Sequence, residues 1–173
     1  MLSLQNNMLP EEKLLKTLVK HSLTLTVAES CTGGLLANRI TNIPGSSKVF
    51  LLGLVTYSNK AKTKILKIPA RLISARGAVS REVAKAMAIN ARKISGASLG
   101  IGITGIAGPE GGIKEKPIGT VFICVSSKAK TLTRKYQFSG TRLEIKRKST
   151  DKAISILLEL IAVGTAHCAV PTK

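Results

Sequence analysis

Three short segments of this sequence place reactive side chains or glycines directly after apolar runs. The first, residues 28–34 (AESCTGG), has a serine and a cysteine before two glycines. The second, residues 56–62 (TYSNKAK), has a tyrosine and two lysines, and the third, residues 104–112 (TGIAGPEGG), is rich in glycine. Each preceding run is typical of a buried strand. We therefore expect three strand ends to form one site at the edge of an α/β sheet.

Ser30 is the candidate nucleophile of that site, and two interpretations of it are open. Its hydroxyl either caps the helix that follows or lies free at a strand-to-helix turn, where backbone N–H groups also point. Gly33 and Gly34 favour the second interpretation. Each glycine costs about 1 kcal/mol in a helical turn relative to alanine, and a cap does not need them, whereas a group that approaches the backbone closely does. Cys31 is a competing nucleophile, which we interpret as a small buried side chain.

A serine nucleophile needs a base, and both histidines, His21 and His167, are distant from the three segments. Lys62 is the candidate, since a neutral amine can take a serine proton when desolvation or positive charge lowers its pKa. The Tyr57 hydroxyl would relay or orient that proton. The alternative is that Tyr57 is a surface tyrosine and Lys62 a solvated lysine.

Several segments are candidates for holding an anionic or amide group of a ligand. The Gly-rich third segment offers backbone N–H groups but matches neither of the common nucleotide-binding glycine motifs. A small-residue turn at 45–47 offers hydroxyls, and an arginine at 142 is a candidate anion clamp. Their simpler interpretations are a surface loop, an ordinary turn and a solvated cation; Glu29 is either a site carboxylate or a partner for a basic residue. The candidate binding residues are Cys31, Thr32, Gly33, Gly34, Gly45, Ser46, Ser47, Thr104, Gly105, Ala107, Gly108 and Arg142.

The chain is strongly basic, with a formal net charge of +18 and a pI of about 10.3. This charge indicates either an anionic partner, such as nucleic acid, a membrane surface or a phosphorylated small molecule, or a solvated lysine-rich surface. We favour the solvated surface for most of it. The basic residues are scattered, and an aromatic content of 3% provides no stacking platform for single-stranded nucleic acid.

The 173 residues are expected to form one domain, residues 1–173, with its core at about 11–163. The three cysteines have no paired spacing, so neither a disulfide framework nor a zinc site is predicted, and no metal or organic cofactor is expected. The sequence has no apolar run of membrane-spanning length and no signal-peptide pattern. We therefore expect a cytoplasmic protein without membrane contact.

Hydrophobic periodicity predicts alternating helices and strands, followed by a hairpin and a last helix. This order predicts an α/β fold, a three-layer α/β/α sandwich with a mixed, mostly parallel sheet. Ser80 is predicted to cap the fourth helix. Helices are predicted at 11–21, 32–42, 59–66, 81–94 and 142–163, and strands at 23–28, 49–57, 97–104, 118–127 and 132–138.

Taken together, these motifs resemble the CinA C-terminal domain family, the nicotinamide mononucleotide amidohydrolases. The resemblance is collinear from about residue 13 to residue 160, and each piece is short while the ordered set is specific. Residues 51–53 (LLG) depart from it, since a Gly-Gly pair is expected there. The matching pieces are AESCTGG at 28–34, PGSS at 44–47, YSN at 57–59 with Lys62, GAVS at 77–80, GIAGP at 105–109, KPIGTV at 116–121 and FSG at 138–140 with Arg142.

The resemblance implies hydrolysis of the carboxamide of nicotinamide mononucleotide to nicotinate mononucleotide and ammonia, in pyridine-nucleotide recycling. It implies an acyl-enzyme mechanism carried by Ser30, Tyr57 and Lys62, and a homo-oligomer. In many relatives this domain follows a larger N-terminal domain of the molybdopterin-binding type. Because the 173 residues contain no such domain, we expect a stand-alone form here. Two alternatives are a non-catalytic module that binds nucleotide or nucleic acid, and the same chemistry on another small amide.

Overall fold

The computed structural model of the protein describes residues 8–166. Within them the chain forms six α-helices and five strands, with a short 3-10 turn at Ser46–Lys48. In chain order these are α1 (Pro10–Lys20), β1 (Leu25–Glu29), α2 (Leu35–Thr41), β2 (Phe50–Val55), α3 (Asn59–Lys64), α4 (Ala70–Arg76), α5 (Arg81–Ser95), β3 (Leu99–Gly105), β4 (Thr120–Ser126), β5 (Thr131–Gln137) and α6 (Arg142–Ala166).

The five strands form one sheet in the order β2-β1-β3-β4-β5. Strand β1 is parallel to both β2 and β3, whereas β4 is antiparallel to its two neighbours, so four of the five strands run in one direction. The prediction of a mixed, mostly parallel sheet is confirmed. The carboxyl ends of β1, β2 and β3 therefore meet at one edge, which is where α/β sheets bind ligands.

Helices cover both faces of the sheet, which confirms the three-layer sandwich. Helices α1, α2 and α6 pack together on one face, over the largest apolar cluster, and α3, α4 and α5 lie on the other. Because alternate residues of a strand face opposite sides, Val27 belongs to the first cluster and Ala28 to the second. Helix α5 lies very close to β3, since a Cβ at Gly102 would be 2.3 Å from the carbonyl oxygen of Ala84.

Two predicted helix boundaries depend on local residues. Ser80 accepts a hydrogen bond from the Val83 N–H, which confirms it as the cap of α5. The helix predicted from residue 32 begins only at Leu35, because Gly33 and Gly34 have φ of 62° and 91°, outside the helical region. Helix α4 was not predicted, since its apolar periodicity is short and Ile73 is its buried residue.

No helix in the described part of the chain has the length and apolar character needed to cross a membrane. Cys31 and Cys124 are buried free thiols. His167 and Cys168, which entered the sequence-based predictions, lie outside the described residues.

Candidate active site

A pocket of about 250 Å³ lies at the carboxyl ends of β1, β2 and β3. All three segments singled out in the sequence contribute to it, so the structure brings them together as expected. Arg142, at the start of α6, closes one side. The lining residues from the three segments are Ser30, Cys31, Tyr57, Asn59, Lys62, Thr104, Gly105, Ile106, Ala107, Gly108, Glu110 and Gly111.

Ser30 lies directly after β1, held by its backbone rather than by its side chain. Its N–H donates to the Ile103 carbonyl (3.0 Å), and its carbonyl accepts from the Gly33 N–H (3.1 Å). Its Oγ lies 2.9 Å from the Nζ of Lys62. The hydroxyl is therefore not the cap of α2, and the first interpretation of Ser30 is not supported.

The cap of α2 is supplied instead by the fully buried carboxylate of Glu29. Its oxygens accept from the N–H groups of Gly34 (3.1 Å), Leu36 (3.1 Å) and Ala37 (2.8 Å). A carboxylate at a helix N-terminus satisfies otherwise unpaired donors and interacts favourably with the helix dipole. Glu29 is thus neither a pocket carboxylate nor the partner of a cation; it fixes the turn and leaves the Ser30 hydroxyl free to meet Lys62.

Lys62 lies on α3, and its side chain is almost completely buried, with 1% of its surface exposed. Its Nζ contacts the Ser30 Oγ (2.9 Å) and the carbonyl oxygens of Thr56 (2.8 Å) and Tyr57 (3.1 Å). It forms no ion pair with a carboxylate among residues 8–166. The predicted pairing of Lys62 with Ser30 is thus present in the structure, and the solvated-lysine alternative is not supported.

Burial lowers the pKa of the Lys62 amine below its usual 10.5, because the cation is removed from water without a counter-ion. A negative charge on neighbouring Cys31 would oppose this shift. Burial, however, raises the pKa of the Cys31 thiol to about 12, so that thiol is neutral near pH 7. The same shift makes Cys31 a poor nucleophile, since the thiolate is the reactive form.

The Lys62 Nζ donates to three acceptors, the Ser30 Oγ and the carbonyl oxygens of Thr56 and Tyr57, which is one for each N–H group of an ammonium. When the amine is neutral, its two N–H groups can stay on the two carbonyl oxygens. Its lone pair can then accept from the Ser30 hydroxyl across the same 2.9 Å contact. This is the arrangement that a lysine base needs in order to remove a serine proton.

Tyr57 does not hold Ser30 and Lys62 together through its hydroxyl, which corrects that part of the sequence prediction. Its side chain is 58% exposed, and its hydroxyl accepts from Nη2 of Arg142 (2.8 Å). Nη1 of Arg142 donates to the Gly108 carbonyl (2.6 Å). Tyr57 supports the base through its backbone carbonyl, while its side chain positions Arg142 at the pocket.

The turn after Ser30 leaves two backbone N–H groups available for an oxyanion. The N–H of Gly33 is bonded to the Ser30 carbonyl and that of Gly34 to the Glu29 carboxylate, so neither is available for an oxyanion. The N–H groups of Cys31 and Thr32 lie close to the Cys31 thiol and lower its pKa, and in the described part of the chain they bond to no oxygen acceptor. They follow the nucleophile directly, as donors of an oxyanion hole do.

The Gly-rich loop lines the pocket with backbone. The Thr104 hydroxyl donates to the Ala78 carbonyl (2.9 Å), so it anchors the neighbouring 77–80 loop rather than facing a ligand. A Cβ at Gly105 would lie 2.7 Å from the Val121 side chain, which requires glycine there. The Ile106 N–H is bonded to Thr120, whereas within residues 8–166 those of Ala107 and Gly108 form no such bond.

The turn containing Gly45, Ser46 and Ser47 is not part of this pocket within one chain. It precedes β2, whereas the pocket lies after β2. A strand advances about 3.3 Å per residue, so the six residues of β2 separate this turn from the pocket by about 20 Å. The predicted contact of these hydroxyls with a ligand in the same chain's pocket is therefore wrong.

Three charged or polar residues at the site, Asn59, Glu110 and Lys146, were missed by the sequence analysis. Asn59 lines the pocket at the start of α3. The Nζ of Lys146 lies over the turn after Ser30, 3.5 Å from where a Cβ of Gly33 would be. The spacing was a usable signal, because residues four apart share a helix face and Lys146 follows Arg142 by four.

The site thus consists of a serine hydroxyl beside a buried lysine amine, at the strand ends of an α/β sheet. The model of the CinA C-terminal domain matches residues 8–161 of this chain. The chain belongs to that family.

Similar proteins agree with this assignment. A putative competence-damage inducible protein of Moorella thermoacetica is 54% identical over 140 residues, covering 81% of this chain and 34% of that protein. The solved competence damage-inducible protein A of Klebsiella pneumoniae matches with a TM-score of 0.86 and 31% identity, covering 88% of this chain and 95% of that chain. The protein CihA of Agrobacterium tumefaciens matches with a TM-score of 0.83 and 36% identity, over 88% and 96% of the two chains. The chain spans about a third of the length of the curated relatives it matches.

Proposed function

We propose that this protein is an amidohydrolase that removes ammonia from the carboxamide of nicotinamide mononucleotide, with Ser30 as nucleophile and Lys62 as base. The product would be nicotinate mononucleotide, which returns to pyridine-nucleotide synthesis. The observation that carries the proposal is the 2.9 Å contact between the Ser30 Oγ and a buried lysine amine that has no carboxylate partner among residues 8–166.

In the acylation step, neutral Lys62 takes the Ser30 hydroxyl proton as Oγ forms a bond to the carboxamide carbon. The carbonyl electron pair moves to oxygen, giving a tetrahedral oxyanion. When the C–N bond breaks, the Lys62 cation returns the proton to the leaving nitrogen, and ammonia departs. The nicotinoyl ester on Ser30 and a neutral lysine remain.

The second half of the reaction uses the same base. Lys62 takes a proton from water as the water oxygen attacks the ester carbon. The second tetrahedral intermediate collapses, Ser30 leaves with the proton returned by Lys62, and the nicotinate acid is released. One group that alternates between base and acid is sufficient, because acylation and deacylation are symmetrical in this respect.

The oxyanion is assigned to the N–H groups of Cys31 and Thr32, which bond to no oxygen acceptor within residues 8–166. Fixed donors of this kind contribute about 3–4 kcal/mol each to transition-state stabilisation in comparable sites. The Glu29 carboxylate supports them indirectly, because it fixes the turn from which both N–H groups project.

The arginine at the pocket supports a phosphorylated substrate, while Glu110 is an acidic residue of the same lining. The 250 Å³ cavity is smaller than most ligand pockets, which are about 300–1,000 Å³, and suits a pyridine ring with its carboxamide. Arg142 then lies at the mouth, where a ribose phosphate would extend, and its planar fork suits bidentate phosphate contacts. The family resemblance supports the same substrate.

Ammonia release from nicotinamide mononucleotide by the purified protein tests the proposal. Nicotinamide and nicotinamide riboside, assayed alongside, show whether the phosphate is required. We expect ammonia release from the nucleotide. The Ser30→Ala variant should lose this activity, whereas Ser58→Ala, which removes the hydroxyl that caps α3, should keep it. Release by Ser30→Ala at the wild-type rate refutes the nucleophile. Release from another small amide alone retains the chemistry and refutes the substrate.

A further inference from the structure

The charged residues of the chain are distributed unevenly over the two outer layers of the sandwich. Residues 59–95, which form the layer of α3, α4 and α5, contain ten lysines and arginines and one acidic residue, Glu82. Half of the formal net charge of +18 therefore lies on this face of the sheet. On the opposite face, α1 and α6 contain five of the nine acidic residues, namely Glu11, Glu12, Glu144, Asp151 and Glu159.

On the basic face, helix α5 leaves the outer strand β5 partly uncovered. Cys124 of β4 packs against Ala88 of α5, and Thr133 of β5 lies opposite Cys124 in the ladder. Because alternate residues of a strand share a face, Thr131, Thr133 and Lys135 lie on the α5 side of β5. The two threonines are half-buried and Lys135 is exposed, so this side of β5 forms a ledge beside α5.

Three cations of α5 border this ledge. Arg81, Lys85 and Arg92 share one face of the helix, since they are four and seven residues apart. Nη1 of Arg81 donates to the Thr133 carbonyl (2.6 Å), so this guanidinium reaches across β4 to β5. Burial raises the pKa of the Cys124 thiol to about 11. The charges of Lys85 and Arg81 oppose that rise in pKa, which places both cations close to the middle of β4.

Two cations mark the ends of the ledge. The Cβ of Arg92 lies 2.7 Å from where a Cβ of Gly100 would be, and its Nε is buried with no hydrogen-bond partner among residues 8–166. The Nζ of Lys135 lies 6.0 Å from the centre of the Phe122 ring. In the described part of the chain, none of the four cations forms an ion pair with a carboxylate. We call this area the α5–β5 surface, and its residues are Arg81, Lys85, Arg92, Thr131, Thr133 and Lys135.

We propose that the α5–β5 surface binds the phosphate backbone of a double-stranded nucleic acid. Arg81 and Arg92 are eleven residues apart on α5, which is about 16 Å along the helix. Each strand of a duplex carries one phosphate per about 3.4 Å of its axis, so this length covers about four or five phosphates. Hydroxyl groups often contact phosphates in such complexes, and Thr131 and Thr133 supply two of them beside the cations.

The side chains of this surface favour a duplex backbone over other polyanions. Membrane-surface helices insert apolar side chains, but Ile94, the large exposed apolar residue of α5, lies on the opposite side of the helix from Arg92. Proteins that bind single strands stack bases on aromatic rings, whereas Phe122 is 8% exposed and lies beneath Lys135. Cations and hydroxyls remain, and these are the groups that contact a duplex backbone without reading its sequence.

Fluorescence anisotropy of a labelled DNA duplex of arbitrary sequence, two helical turns long, tests the proposal over a series of salt concentrations. We expect a dissociation constant of about 10⁻⁴–10⁻⁶ M at physiological salt. Four phosphate contacts at about 0.9 each predict a slope of about −3.6 for the logarithm of the association constant against that of the salt concentration. No binding at low salt overturns the proposal.

Two double variants locate the contact. Lys85→Gln/Lys135→Gln removes two cations of the surface, so the slope should fall to about −1.8. Lys13→Gln/Lys16→Gln, at exposed positions of α1 on the opposite layer, changes the net charge equally and should keep the wild-type slope. Thermal unfolding checks that both variants fold. Equal slopes in the two variants mean that the duplex responds to the total charge of the chain, and overturn the proposal.

Other polyanions and the amidase assay complete the test. Tighter binding of a single-stranded DNA, of poly-glutamate or of phosphatidylserine vesicles, at equal charge concentration, assigns the surface to another partner and overturns the proposal. No residue of the α5–β5 surface lines the pocket, so Lys85→Gln/Lys135→Gln should release ammonia as the wild type does. A wild type that hydrolyses no amide refutes the proposed function, and the anisotropy measurements then still decide the binding of the duplex.

Discussion

Replacement of Lys62 by methionine separates catalysis from folding, because the side chain keeps its length and loses its amine. The variant has no base for Ser30. General acid–base catalysis contributes about 10²–10⁴-fold to rate, so kcat/KM is expected to fall by at least about a hundredfold, or about 2.7 kcal/mol of transition-state free energy.

Two opposing terms determine the effect of this substitution on stability. The Thr56 carbonyl loses its buried donor, which costs about 1–3 kcal/mol, while the Tyr57 carbonyl lies closer to solvent. The substitution also relieves the burial of an amine whose pKa is already lowered by desolvation. Because these terms oppose each other, we expect the free energy of unfolding to change by less than about 2 kcal/mol.

The lowered pKa of Lys62 determines how the free energy of unfolding changes with pH. The folded-state pKa of Lys62 is below its unfolded value of 10.5, so between the two the unfolded chain binds more protons. Wild-type stability therefore gains a contribution as pH rises through that window, and Lys62→Met loses this rise. Activity should likewise increase with pH as the amine becomes neutral.

The assay measures kcat/KM against pH and the free energy of unfolding of the same samples. Lys64→Met, on the exposed side of α3, is the matched control and should behave as the wild type in both. Lys62→Arg keeps the charge and cannot become neutral, so it should be inactive as well. A Lys62→Met variant whose kcat/KM stays within tenfold of the wild-type value would exclude Lys62 as the base.

Three further predictions follow from the contacts around the pocket. Glu29→Gln replaces one acceptor oxygen of the α2 cap by a donor and should lower the free energy of unfolding by about 2–4 kcal/mol. The control Glu115→Gln, on the surface, should leave it unchanged. Equal stabilities of the two variants in urea unfolding would contradict the capping role. Tyr57→Phe keeps the carbonyl that supports Lys62, so kcat should stay within about tenfold of the wild-type value. KM should rise, because the hydroxyl that holds Arg142 is lost. A hundredfold loss of kcat would indicate that the hydroxyl takes part in proton transfer. Arg142→Met should raise KM for the nucleotide by about 10–100-fold, the value of one or two charge-assisted hydrogen bonds, and leave the unphosphorylated riboside unaffected; equal effects on both substrates would exclude a phosphate contact.

The parts of the fold with strong local signals were predictable from the sequence. Long apolar periodicity identified α5 and α6, and Ser80 marked the start of α5 because a cap needs only one side chain and one turn. Helix α4 was not predicted, because seven residues with one buried side chain give too little apolar periodicity. The start of α2 was placed too early, because positive φ at Gly33 and Gly34 depends on the turn that Glu29 fixes.

The sequence was sufficient to identify most residues of the candidate site, but not the contacts that their side chains make. Residue types and strand ends pointed to Ser30 and Lys62, and the fold brings the two together. The contact of Tyr57 with Arg142 joins residues 85 positions apart, which no local pattern encodes. The Ser46–Ser47 turn was misplaced for a different reason: its residue types suit a phosphate, but the direction of β2 decides which end of the sheet it occupies.

Rapid acid quench of enzyme mixed with nicotinamide mononucleotide identifies the side chain that carries the acyl group, which we assign to Ser30. Peptide mapping of the quenched protein locates any nicotinoyl ester. We expect an ester on Ser30 that forms as the first ammonia is released and is absent from Ser30→Ala. An ester on Cys31, or ammonia release by Ser30→Ala at the wild-type rate, would contradict it.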